Sequence, residues 1–106
     1  PFIGTAYIAY IPNKKIIGLS KIPRIVRYFA KRPQIQERLN AQIAECLCSI
    51  LETEHVAVSM TAKHHCMVIR GVEDCASHTI TTVLKGSFDT DQNLRREFFE
   101  AINREP

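Results

Sequence analysis

Residues 35–51 read IQERLNAQIAECLCSIL, and residues 55–62, just beyond them, read HVAVSMTA. The change of period between these two stretches decides the fold. In the first, Ile35, Leu39, Ile43, Cys46, Leu47, Ile50 and Leu51 recur at helical spacing, an apolar stripe of about four and a half turns. Arg38, Gln42, Glu45 and Glu52, with Gln34 ahead of them, cover the other face. In the second, Val56, Val58, Met60 and Ala62 alternate with Ala57, Ser59, Thr61 and Lys63, the pattern of a half-buried strand. A long amphipathic helix running straight into a strand implies a layer of helix on sheet.

Upstream, Thr5 to Ile11 (TAYIAYI) is rich in aromatic and β-branched residues and stops at Pro12-Asn13, a strand followed by a turn. Lys14 to Leu19 (KKIIGL) is expected to return as a second strand of a hairpin. Ser20 reads as a helix N-cap with Pro23 in the first turn, where a missing N–H costs little. Ile22, Ile25, Val26 and Phe29 then form one apolar stripe, and Pro33 ends that helix. Downstream, His64 to Arg70 continues the central strand or bends just past it, and Gly71 to Ser77 reads as a loop. His78 to Leu84 (HTITTVL) is a strand, and Asp91 to Asn103 a last helix with Leu94, Phe98 and Ile102 inward. The expected order is ββααββα, an α+β fold whose antiparallel sheet carries two helices on one face.

Length and composition narrow the function classes. The 106 residues, 45% hydrophobic and 24% charged, suit one globular domain spanning residues 1–106. No apolar run reaches the ~20 residues that cross a bilayer, so no membrane partner is expected. A net charge of +3 is too mild to demand nucleic acid, though local clusters of cations could hold a phosphorylated ligand. Cys46, Cys48, Cys66 and Cys75 form neither a CxxC pair nor a disulfide framework, which points to a reducing, cytoplasmic setting.

Four groups of residues could carry chemistry. His64 and Cys66 stand at i and i+2 on an extended chain, an imidazole and a thiol of the kind zinc prefers, with His65 between them. That is half a metal site, and a strand end with a buried cysteine fits the same letters. Ser20, Lys21 and Arg24 open a helix, where free N–H groups and the dipole already favour phosphate. Solvated cations would look alike. Gln36 and Glu37 begin the long helix: the carboxylate suits the dipole there, and it also matches the N1–H and 2-amino donors of guanine. Arg70 ends an apolar run, either snorkelling to water or offering its planar fork to phosphate.

Taken together and in order, these residues resemble a known family. IGLSKIPRIVRYFAKRPQIQERL (17–39) followed by HVAVSMTAKHHCMVIRG (55–71) is similar to the catalytic domain of GTP cyclohydrolase I, bacterial type, and the flanking TAYIAYIPNKKIIGLSK and FDTDQNLRREFF fit as well. The resemblance implies a tunnelling fold (T-fold), in which copies join their sheets into a barrel and two pentameric rings stack as a homodecamer. It implies hydrolytic opening of the guanine imidazole ring of GTP, giving formate and 7,8-dihydroneopterin triphosphate, the first step towards tetrahydrofolate and related pterins. Carried over by position, Cys66 is a zinc ligand and His64 the catalytic histidine. Gln36 and Glu37 recognise guanine with the backbone near Ile35, and Leu19 lines the base pocket. Ser20, Lys21, Arg24 and Arg70 hold the triphosphate. The other two zinc ligands are expected in a Cys-Glu-His-His motif upstream of Pro1. The chain is therefore expected to be truncated at its N-terminus and, alone, to bind zinc weakly and turn over little or no GTP. The alternative is a T-fold purine- or pterin-binding module that oligomerises without this chemistry.

Overall fold

In the computed structural model, residues 4–15, 18, 20–32, 35–65 and 76–104 are described. The elements are β1 (Gly4–Tyr10), α1 (Lys21–Ala30), α2 (Gln36–Leu51), β2 (Val56–His65), β3 (Ala76–Leu84), α3 (Ser87–Thr90) and α4 (Gln92–Asn103). The strands form one antiparallel sheet in the order β1-β2-β3. Its register sets Ile8 against Val58 on one side and Val58 against Val83 on the other. An α+β fold was expected and is found, with three differences.

The first is the hairpin. Lys14, Lys15 and Gly18 are not in a strand, and β1 pairs with β2 directly; Ile16, Ile17 and Leu19 lie outside the described residues. The expected ββααββα order is therefore replaced by βααββαα among the described residues. The second concerns the faces of the sheet. Val56, Val58 and Met60 pack with Leu39, Ile43, Leu47 and Leu51 of α2, and α1 lays Ile22, Ile25, Val26 and Phe29 against the same cluster. Ala57 instead packs with Phe88 and Phe98, joined by Tyr7, Ala9 and Leu84. The short α3, which the sequence reading missed, and α4 thus cover the opposite face. β2 is consequently buried on both sides, with Ala57 and Ser59 as inaccessible as Val58. The third is the reach of β3, which begins at Ala76 rather than His78.

Helix boundaries follow local chemistry. Asp91 caps α4, its carboxylate accepting from the N–H groups of Asn93 (2.9 Å) and Leu94 (3.3 Å). Ser20 precedes α1 in helical conformation and makes no side-chain cap bond, so the expected N-cap role is not filled. The C-terminus of α2 turns at Glu52, a left-handed residue with φ 52°. Gly86 has φ +63°, and a Cβ there would stand 2.5 Å from both the Glu54 carbonyl oxygen and His55 Nδ1. That imidazole accepts the Ser87 N–H at 2.9 Å and so fastens the start of α3 to the foot of β2.

Two buried amides lock α2 across the seam between β2 and β3. Gln36 Nε2 donates to the carbonyls of Met60 (2.9 Å) and Thr79 (3.0 Å). One turn on, Asn40 Nδ2 donates to those of Val58 (3.3 Å) and Thr81 (2.9 Å). All four amide protons are thereby used. The expected stripe is shifted in consequence: Gln36 and Asn40 are buried, whereas Ile35 and Ile50 are exposed.

Replacing Asn40 removes donors from two carbonyls at a site with no exposure, and Asn40→Asp adds an anion as well. The new carboxyl is disfavoured in its charged form, so its folded pKa lies above the ~3.9 of an unfolded aspartate. The extra destabilisation is absent below that pH, grows as pH rises, and reaches about 3 kcal/mol or more once the folded carboxyl ionises. Urea titrations of both proteins between pH 4 and 8 check this, and a deficit constant across that range would contradict it. Gly86→Ala is expected to lower unfolding stability by about 2–3 kcal/mol through strain at positive φ and the clash with residue 54. A midpoint shift worth under about 1 kcal/mol would show the turn to be tolerant.

Candidate functional site

The N-terminal turn of α2 is the best-defined part of the site. Ile35 occupies the N-cap position in extended conformation (φ −73°, ψ 151°) with its side chain exposed. Its carbonyl accepts the Leu39 N–H at 3.1 Å, so helical bonding begins there. Glu37 is the acidic residue of the first turn, exposed and without an ion pair among the described residues. The macrodipole steadies its negative charge. Gln36 points the other way. With both amide protons held by strand carbonyls, its Oε1 is buried and unpartnered, as is Asn40 Oδ1. Both amide protons of Gln36 are engaged and its oxygen is buried, so its side chain is directed at the strands and leaves no free donor at the turn.

β2 extends past this turn. The Gln36 amide sits at Met60 and Thr79, and four residues further along β2 the backbone of His64 pairs with Ser77. At ~3.3 Å per residue, His64 lies about 13 Å beyond Met60, at the same end of the β2–β3 ribbon as Ile35 and Glu37. Cys66 and Arg70, and Leu19 on the other side, lie outside the described residues.

α1 supplies the cations. Lys21 and Arg24 are exposed in its first turn, with neither an acidic residue on the helix nor an ion pair among the described residues. The Lys21 N–H is taken by the Gly18 carbonyl at 2.9 Å. Ten residues of helix span about 15 Å. Ser20 and Lys21 therefore stand a helix length from the α1 end that turns towards Ile35 and Glu37. The structure brings the α2 turn and the His64 end of β2 to one pole, and does not bring Ser20, Lys21 and Arg24 against Glu37.

A cleft of about 1000 Å3 opens elsewhere, at the foot of the sheet, lined by Asn13, Cys48, Thr53, Glu54, His55 and Lys85 among others. Among the described residues, no expected site residue lines it. Burial pushes the Cys48 thiol up despite the opposing charge of Lys85, which keeps it protonated and poorly nucleophilic near neutrality. Among the described residues no group of three His, Cys, Asp or Glu is placed to hold a metal ion. No described helix is long and apolar enough to cross a membrane. Asn40 is the positioning residue the sequence reading did not single out. Its signal was a second amide four residues after Gln36 on a face otherwise filled by Leu39, Ile43 and Leu47.

Comparison with known proteins identifies the family. Residues 1–103 match the family described as GTP cyclohydrolase I. The chain is 56% identical over 99 residues to a GTP cyclohydrolase 1 of Edwardsiella ictaluri, covering 93% of this chain and 45% of that protein. It is 52% identical over 103 residues to the GTP cyclohydrolase 1 of Salmonella arizonae, covering 97% of this chain and 46% of that protein. The chain thus spans a little under half the length of these relatives. With the family matched across nearly every residue, and the α2 turn and central strand built as described, the chain belongs to the GTP cyclohydrolase I family.

Proposed function

We propose that the protein carrying this chain binds GTP and opens its imidazole ring by hydrolysis, releasing formate and leaving 7,8-dihydroneopterin triphosphate. The observation that carries this reading is the family match over residues 1–103. It is supported by an exposed carboxylate, Glu37, without an ion pair among the described residues, on a helix turn that two amides tie to the strands. Glu37 accepts the N1–H and 2-amino protons of guanine, and Gln36 assists by fixing the turn that presents it. The backbone at Ile35 adds a contact and Leu19 packs on the base. Ser20, Lys21, Arg24 and Arg70 hold the triphosphate, and His64 gives and takes protons as the ring opens, a task suited to an imidazole near neutral pH.

Assembly belongs to the same reading. Among the described residues β1 and β3 are both edge strands, and Ile80 on β3 is 68% exposed. Such edges pair readily with another chain. A homo-oligomer of the decameric kind would cover them and bring α1 of one copy towards the α2 turn of another. Zinc enters through Cys66. A catalytic zinc takes three protein ligands and a water; Cys66 is the one ligand that the family resemblance places in this chain, whose other residues supply recognition and proton transfer.

The test is formate release from GTP by the protein carrying this chain. Glu37→Gln is expected to lower kcat/KM at least about 100-fold, the worth of a charged hydrogen-bond pair to the base. His64→Ala is expected to lower kcat by about 100-fold or more with little change in GTP binding. Wild-type protein that binds GTP no better than guanosine and releases no formate would refute the assignment.

A further inference from the structure

α1 carries more positive charge than a triphosphate socket needs. Between Ser20 and Arg32 the sequence holds Lys21, Arg24, Arg27, Lys31 and Arg32 and no acidic residue. The rest of the chain holds nine cations and eleven carboxylates, so the net positive charge of the molecule resides on this one helix. All five side chains are exposed, and none makes an ion pair among the described residues. At 100° and 1.5 Å per residue they occupy an arc of about 140° and a length of about 16 Å, one continuous stripe. The Lys31 N–H still reaches the Arg27 carbonyl, so the helical path continues to that point. Arg32 is set over the ring of exposed Tyr28, 5.6 Å from its centroid, with Nη2 donating to the phenol oxygen at 3.4 Å.

Two ordinary explanations fail for this stripe. Cations in the last turn suit the helix dipole, which accounts for Arg27, Lys31 and Arg32 singly but not for a stripe that runs on to Lys21 and Arg24, where the dipole repels them. A basic amphipathic helix can lie on a membrane, but here the apolar side, Ile22, Ile25, Val26 and Phe29, is spent against the core.

We propose that the part of the stripe beyond the triphosphate residues, Arg27, Lys31 and Arg32, is an electrostatic track that draws the nucleotide polyanion along α1 to Lys21 and Arg24. This rests on the GTP reading above and adds three residues to it. Arg27 lies about 4.5 Å and Lys31 about 10 Å along the axis from Arg24. Both fall within the ~10 Å screening length of 0.1 M salt, so their field overlaps that of the socket. The stripe acts on encounter, not on the bound state.

Stopped-flow association of a ribose-labelled GTP, with labelled guanosine as the uncharged probe, tests it on the protein carrying this chain. The triple variant Arg27→Gln, Lys31→Gln, Arg32→Gln is expected to bind labelled GTP about tenfold more slowly at about 20 mM salt. The gap closes by about 0.5 M salt, and the dissociation rate and the guanosine kinetics stay as in wild type. Removing three cations from the other sheet face, Arg95→Gln, Arg96→Gln and Arg104→Gln, controls for net charge and is expected to change the rate less than twofold. Equal rates for wild type and the α1 variant, or an equal slowing in the α4 variant, would overturn the track while leaving the GTP reading intact. Wild type that fails to bind labelled GTP would overturn both.

Discussion

Two carboxamides hold the molecule's working end in place. Gln36 and Asn40, one helical turn apart, each reach the carbonyls of two adjacent strands, so α2 is tied to β2 and β3 at the same time. The net worth of each such bond is about 1 kcal/mol, less than the roughly 1.5–3 kcal/mol from burying each of Leu39, Ile43, Leu47 and Leu51. What the amides add is position. Apolar side chains let a helix slide or turn by a fraction of a residue, whereas four directed bonds admit one placement. The burial of two unpartnered amide oxygens is the cost of that geometry. It fixes Glu37, the next residue after Gln36, at the end of the ribbon that carries His64.

From that constraint follows a division of labour between the two helices on this face. α2 offers a negative group at an N-terminus, suited to the hydrogen-bond donors of a base. α1 offers cations and no acid, suited to phosphates. A nucleotide has both ends, and the two helices present their matching turns a helix length apart in one chain. Among the described residues β1 and β3 lie at the edges of the sheet. On the other face, α3 and α4 are fastened through His55 and the tight approach at Gly86 and contribute no candidate site residue. They close the back of the sheet.

Much of this was legible in the letters. The extent of α2, the strand at Val56 and a last helix opening near Asp91 follow from periodicity and local chemistry. Other features depended on tertiary context. The apolar stripe of α2 predicted Ile35 and Ile50 as core, yet both lie at helix ends where no neighbour covers them. Gln36 read only as a partner of Glu37 and Asn40 went unread, because spacing cannot show that strand carbonyls wait beneath. Ala57 and Ser59 read as a solvent face, because nothing local says that a helix forty residues later returns to cover them. KKIIGL has strand composition, but Lys14, Lys15 and Gly18 are not in a strand and Ile16, Ile17 and Leu19 lie outside the described residues. Cys66, Arg70 and Leu19 stand on family resemblance and lie outside the described residues.

A crystal structure of the protein carrying this chain with GTP bound addresses the central claim most directly. The account predicts a guanine edge within about 2.7–3.2 Å of the Glu37 carboxylate, with Gln36 Nε2 still donating to Met60 and Thr79 as it does here. Guanine bound away from the first turn of α2, or a Gln36 amide swung off the strands to meet the base, would contradict it.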